Sequence, residues 1–167
     1  LKLKINNIIK SFPKSNLIPQ KTKKYFISKY QKNPFYKYFF LSFCKKNKVK
    51  FFFVVRKIFI KKKNVTIFRI IDFHGKIPKN ICIRNQIKNF LTDTKAEYID
   101  FLCYGISKNI LTNLGFSLKN KKQLIPYYFE PLIMKNVNIN VCIFLNKYKQ
   151  NLTIFKGDGD QDRPNLL

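Results

Sequence analysis

NVTIFRIIDFHG, residues 64–75, decides the fold. Asn64 opens it, β-branched and aromatic residues fill most of 65–73, and Gly75 closes it. So dense a run of Val, Thr, Ile and Phe reads as a buried strand. Two runs of the same character precede it, PFYKYFFLSF (34–43) and KVKFFFVVRKIFI (48–60). The connectors CKKNK (44–48) and KKKN (61–64) are short, polar and contain Asn. Three strands joined by two tight turns predict an antiparallel meander.

Beyond Gly75 the period changes. Ile81, Ile83, Ile87, Phe90 and Leu91 share one helical face over about residues 80–92. AEYIDFLCYG (96–105) is apolar almost throughout, which predicts a central strand. Ile106, Ile110, Leu111 and Leu114 form a second helical stripe, closed by Gly115. LIPYYFEPLI (124–133) and NVNINVCIFL (136–145) read as two further strands. Upstream, residues 5–12 and 20–31 carry helix-like spacing, the second stretch ending before Pro34. The predicted class is therefore mixed α/β, a meander followed by a β-α-β-α-β centre and closing strands. Residues 1–32 form an N-terminal helical segment, 33–155 the main domain and 156–167 an acidic loop. The chain starts at Leu1, so the reading allows for a longer N-terminus.

At 167 residues, 46% of them hydrophobic, the chain can bury a core, and the composition excludes a disordered tail. The formal net charge is +26, yet only four of the 34 basic residues are Arg. Lys, Asn, Ile, Phe and Tyr all have A/T-rich codons, so base composition accounts for much of this excess. The charge still attracts polyanions, and a basic nucleic-acid-binding module without catalysis is the alternative reading. Cys44, Cys82, Cys103 and Cys142 lie far apart with no C-x-x-C pair, which fits small apolar side chains in a reducing, cytoplasmic setting. No apolar run reaches the length of a membrane span.

RIIDFHG (69–75), AEYIDFLCYG (96–105), NLGF (113–116) and YYFEP (127–131), in this order, resemble the later part of the GNAT acyltransferase fold, including a group associated with bacterial surface-polysaccharide loci. The resemblance covers about residues 33–145. It implies an N-acyltransferase that carries an acyl group from acyl-CoA to an amine, such as a nucleotide-linked amino sugar. The counterpart of the family's glycine-rich pyrophosphate turn is FHGKIPKNICIRN (73–85), which holds Gly75 but no second glycine in register, so a catalytically inactive GNAT-like scaffold is a further alternative. By the resemblance Ile71, Phe73, Gly75 and Lys76 would hold the cofactor, backbone N–H groups of residues 69–73 would polarise the carbonyl, and Tyr104 would protonate the leaving thiolate.

The residues themselves suggest the rest. His74, the one histidine, titrates near working pH and is either a base or a histidine with a backbone hydrogen bond. Asp72, inside an apolar strand, needs a partner, with Arg69 and Lys76 nearest in sequence, or else a shifted pKa. Asp100 shares a strand face with Tyr98 and Tyr104, a group that either handles an amine or forms a structural network; Glu97 is on the opposite face. Glu130 stands between Pro126 and Pro131 as an acceptor-binding candidate or a solvated edge residue. Asp158, Asp160 and Asp162 match the first ligands of a calcium loop, but Arg163 replaces the required Gly and no closing Glu follows. No metal is expected. Asp158 and Asp160 instead belong to an ordered substrate or docking loop.

Overall fold

The computed structural model describes residues 1–78, 81–118 and 151–159. Five strands form one sheet in chain order: β1 (Lys2–Asn6), β2 (Tyr38–Lys45), β3 (Lys48–Ile60), β4 (Val65–Gly75) and β5 (Ala96–Phe101). The first four are antiparallel neighbours, and β5 runs parallel to β4 after the crossover helix α2 (Arg84–Asp93). The meander and its two tight turns are as the sequence predicts. Lys46, Asn47 and Asn64 take left-handed backbone at those turns, a conformation that Asn tolerates well.

Two expectations need correction. The 5–12 stretch is not a helix; its first two residues end the strand β1, in which Lys2 and Lys4 alternate with Leu3 and Ile5, and residues 7–12 carry no helix. The second N-terminal stretch is helical, as α1 (Lys23–Phe26) continuing into a π-helix at Ile27–Gln31. The run 96–105 is neither continuous nor central among the described strands. It ends as β5 at Phe101, beside β4 alone, and resumes as β6 (Cys103–Tyr104), paired with β7 (Ile154–Phe155). Helix α3 (Lys108–Asn113) follows, with Ser107 as N-cap and Gly115 at positive φ beyond its end. The strands expected at 124–133 and 136–145 lie outside the described residues.

The sheet has a core on each face. Phe51, Phe53 and Val55 of β3 point to one side, where Phe68 and Ile70 of β4 meet Ile83, Ile87, Phe90 and Leu114. Phe52 and Val54 point to the other, against Phe26, Tyr30 and Ile9. The N-terminal segment is thus built into the body of the sheet. In β4, register with β3 slips by one residue, from Val55↔Ile70 to Val54↔Asp72, making Ile71 a bulge. The bulge resets the alternation. Asp72 and His74 would otherwise follow Phe68 and Ile70 into the helix-covered core; instead they face the N-terminal aromatic residues, and Phe73 takes their side.

Phe53 is fully buried at the centre of the sheet, touching the rings of Phe43, Phe51, Phe73, Phe101 and Phe116. Phe53→Ala should destabilise the fold by about 3–5 kcal/mol. Urea unfolding followed by far-UV circular dichroism measures this, and a loss comparable to that of a surface substitution would refute the packing.

Candidate functional site

Asp72 has no exposed surface, so its carboxylate must be compensated from within. Its partner is neither Arg69 nor Lys76. Lys21 supplies the countercharge, with Nζ 2.6 Å from Asp72 Oδ1. Tyr30 donates its hydroxyl to Oδ2 at 2.8 Å, Tyr25 does so at 3.3 Å, and the Phe73 N–H donates to Oδ1 at 2.8 Å. The two phenols converge because the helix widens to a π turn. There Lys32 N–H reaches back five residues to the Ile27 carbonyl, and residues 25 and 30 come onto one side. Burial, and then the Asp72 charge, hold both phenols above their ordinary range, so they remain donors. Burial pushes the Asp72 carboxyl up, and Lys21 opposes that shift.

Lys21 is also 2.6 Å from Asp158 Oδ1 and lies 4.9 Å from the centre of the Phe155 ring. Asp158 Oδ2 in turn accepts the Phe155 N–H at 2.9 Å. Lys29 donates to the Gly157 carbonyl, and Gly157 sits so close to the Tyr30 hydroxyl and the Ile71 carbonyl that no Cβ would fit. These contacts fasten 153–158 alongside β4. Asp158 thus belongs to an ordered loop, but its cation is the protein's own. Asp160 and Glu130 lie outside the described residues.

The clamp has a topological setting. Pairing between β4 and β5 ends at Ile70↔Phe101, while β4 continues to Gly75. Phe155 occupies the fork, stacked on Phe101 with 5.8 Å between ring centres and edge-on to Phe73. Beside the fork lies a pocket of about 380 Å³, between the loop 12–22 and Phe73, His74, Thr153 and Phe155. Phe12, Phe73 and Phe155 give it an aromatic wall, while Lys14 and Lys21 contribute the cations.

His74 lies within β4 and not in a loop. Its Nε2 is 2.9 Å from the Pro13 carbonyl, so that nitrogen carries the hydrogen and Nδ1 the lone pair. The imidazole stacks on Phe12 at 4.1 Å, and burial lowers its pKa to about 4, opposed by the Pro13 hydrogen bond. It is therefore neutral at pH 7, anchoring Pro13 and hence the pocket loop. Phe73 lines the pocket, but Ile71 is buried in the opposite core. Gly75, at φ +114°, lets the Lys50 carbonyl approach, where a Cβ would be 2.5 Å away. Exposed Lys76 follows it, with its N–H on that same carbonyl.

The other candidates lie elsewhere. Asp100 receives the Arg69 guanidinium at 2.5–2.9 Å, a forked pair across the parallel strands. Tyr104 is 61% exposed on β6. The structure thus gathers Asp72, Phe73, His74 and Asp158, and separates them from Asp100 and Tyr104. Sequence reading missed Lys21, Lys29, Tyr25, Tyr30 and Phe155; the spacing of the two tyrosines gave no signal, since on an α-helix residues five apart diverge by about 140° and only the π turn brings these together. Cys103 is half-buried, its thiol pushed up by burial to about 11, whereas Cys44 is buried and Cys82 exposed. No described helix is long and apolar enough to cross a membrane. Comparison with known proteins finds no matching family model, curated protein or solved structure.

Two predictions follow from the buried charges. Lys21→Met should cost about 3–5 kcal/mol by leaving Asp72 buried without its cation, and adding Asp72→Asn should recover part of that loss. Chemical denaturation of the single and double variants provides the test; additive losses would refute the coupling. His74 has the opposite sign to a paired histidine. Its folded pKa, about 4, lies below the ordinary 6.5, so the unfolded chain binds the extra proton first. Its contribution is complete above pH 6.5 and falls away as the pH drops toward 4. Asp72, shifted upward, acts in the reverse sense over part of this range, so the difference between wild type and His74→Phe isolates the histidine. The variant should show a flatter loss of stability on acidification; parallel profiles would refute the assignment.

Proposed function

We infer that the chain is a GNAT-like N-acyltransferase whose acyl thioester donor enters the pocket beside the fork of β4 and β5. The observation that carries this reading is the parting of the parallel pair after Ile70 and Phe101, with a bulge at Ile71 and a pocket along Phe73 and His74. The four antiparallel strands, the crossover helix and the parallel fifth strand support it at the level of topology. The pocket chemistry supports it as well. Aromatic walls suit an acyl chain or pantetheine arm, and exposed Lys14 and Lys76 suit its phosphates.

The acceptor is an amine, with an amino sugar carried on a nucleotide as the class the sequence resemblance implies. Its free base attacks the thioester carbonyl, the C–N bond forms, the C–S bond breaks, and the amine's proton leaves with solvent or the thiolate. Neutral His74 is too weak a base to drive this step at pH 7. Its part is to hold Pro13 and the pocket loop in place. Rate acceleration then comes from holding donor and acceptor together.

Titration calorimetry with acetyl-CoA, at about 0.15 M and again at about 0.5 M salt, tests the donor site, since screening separates a formed pocket from general attraction to a polyanion. Saturable binding should survive the higher salt and weaken about tenfold in Lys14→Glu, the cost of one charge-assisted contact. Binding that disappears with salt, or ignores Lys14→Glu, would remove the donor assignment. Thiol release on adding amines tests transfer, and a bound donor that no amine consumes would reduce the protein to an acyl-CoA-binding one.

A further inference from the structure

A second pocket, of about 360 Å³, includes Tyr30 of the Asp72 clamp in its lining. Tyr30, Phe35, Tyr36 and Tyr38 line it, with the amides of Asn7, Gln31 and Asn33 at its edge. No carboxylate is among its described lining residues. The aromatic residues form a wall suited to a flat ring.

The wall is rigid before any ligand arrives. Asn33 Oδ1 accepts the N–H groups of Phe35 and Tyr36 at 3.0 and 2.8 Å, while its Nδ2 donates to the Lys29 carbonyl at 3.1 Å. One side chain thus ties the aromatic turn to the end of the helix. The Arg56 guanidinium covers one face of the Tyr36 ring, 4.2 Å from its centre. Tyr38 packs edge-on to Tyr30 at 5.0 Å. Phe35, next to Pro34 on this braced turn, is nevertheless 60% exposed. Nothing in its own fold covers that ring among the described residues. Exposed Lys32 and Lys37 flank it, on a chain of net charge +26.

We propose that this pocket is a binding site for single-stranded nucleic acid, with a base stacked on Phe35 and the adjoining phosphates on Lys32 and Lys37. Every base has a π-face, and a preorganised aromatic ring beside cations gains stacking energy without sequence preference. Asn7 and Gln31 also line the pocket, with Gln31 Oε1 held by the Ile9 N–H at 3.3 Å. The site is independent of the acyl-donor pocket and stands whether or not that pocket takes acyl-CoA.

Fluorescence anisotropy with a labelled oligothymidylate of about 12 nucleotides tests the proposal, a length within the footprint of one stacking module. Phe35→Ala should weaken binding between about five- and a hundred-fold with the salt slope unchanged. Lys32→Ala with Lys37→Ala should instead lower the slope, by about one for each lysine, because phosphate contacts release counterions. An abasic strand of equal length should bind like the Phe35→Ala protein binds thymidylate. Phe35 is a surface residue, so the variant's thermal transition should match wild type, and Phe35→Tyr should restore binding. Equal affinity for the abasic and thymidylate strands, or an unchanged affinity in Phe35→Ala, would overturn the proposal. So would full competition by thymidine monophosphate at equal base concentration, which would make the site a mononucleotide pocket.

Discussion

A carboxylate with no exposure to water governs this structure. Asp72 sits in the longest buried stretch of the sheet, and the bulge at Ile71 turns it toward the N-terminal segment. An uncompensated charge there would cost several kcal/mol. Its compensation comes from chain far away, 51 residues upstream at Lys21, 47 at Tyr25 and 42 at Tyr30. The α-to-π transition and the loop before it are therefore conditions for burying Asp72 at all. Because Lys21 also holds Asp158, the same charge fixes the segment that fills the fork between β4 and β5. One acidic residue ties both ends of the described chain to the middle of the sheet.

Legibility in the sequence follows the range of the interaction. β2, β3 and β4 could be read because their signals are local: dense runs of β-branched and aromatic residues, bounded by Asn at turns that take left-handed backbone. Helices α2 and α3 were legible for the same reason, with the buried faces Ile83, Ile87, Phe90 and Leu114 where the stripes put them. β1 was lost because the spacing of Ile5, Ile8, Ile9 and Phe12 competes with the shorter alternation Leu1, Leu3, Ile5. The interruption at Leu102 is tertiary in origin, since β5 leaves β4 in order to pair again as β6 with a strand 50 residues later. Nothing marks Lys21 among so many lysines. Proximity favoured Arg69 for Asp72, whereas Arg69 is taken by Asp100 directly across the parallel register.

The scarcity of acid explains how its described carboxylates are used. Against 34 basic residues the chain has 8 acidic ones. Asp72, Asp100 and Asp158 each hold a cation, and Asp93 and Glu97 are exposed on the surface. An ion-paired, fully buried carboxylate cannot easily exchange protons with a substrate, and the one histidine is neutral and poorly basic. Proton transfer by a strong side-chain base is therefore a poor basis for chemistry here. Holding bound groups in place in an aromatic-walled pocket is a better one.

Tyr30 links the Asp72 clamp to the second pocket. Its hydroxyl completes the Asp72 clamp, while its ring forms part of the second pocket's wall. The ring is 2% exposed and meets Phe26, Tyr25 and Tyr38, so it has little room to change rotamer. A group held by both a buried charge and close ring contacts is a fixed partition and not a moving relay. The physical unit that the clamp and the second pocket share is the helix turn from Tyr25 to Asn33, which donates two hydroxyls to Asp72 and whose end braces Phe35. Buried polarity on one side of this turn is what makes exposed aromaticity on the other side preorganised.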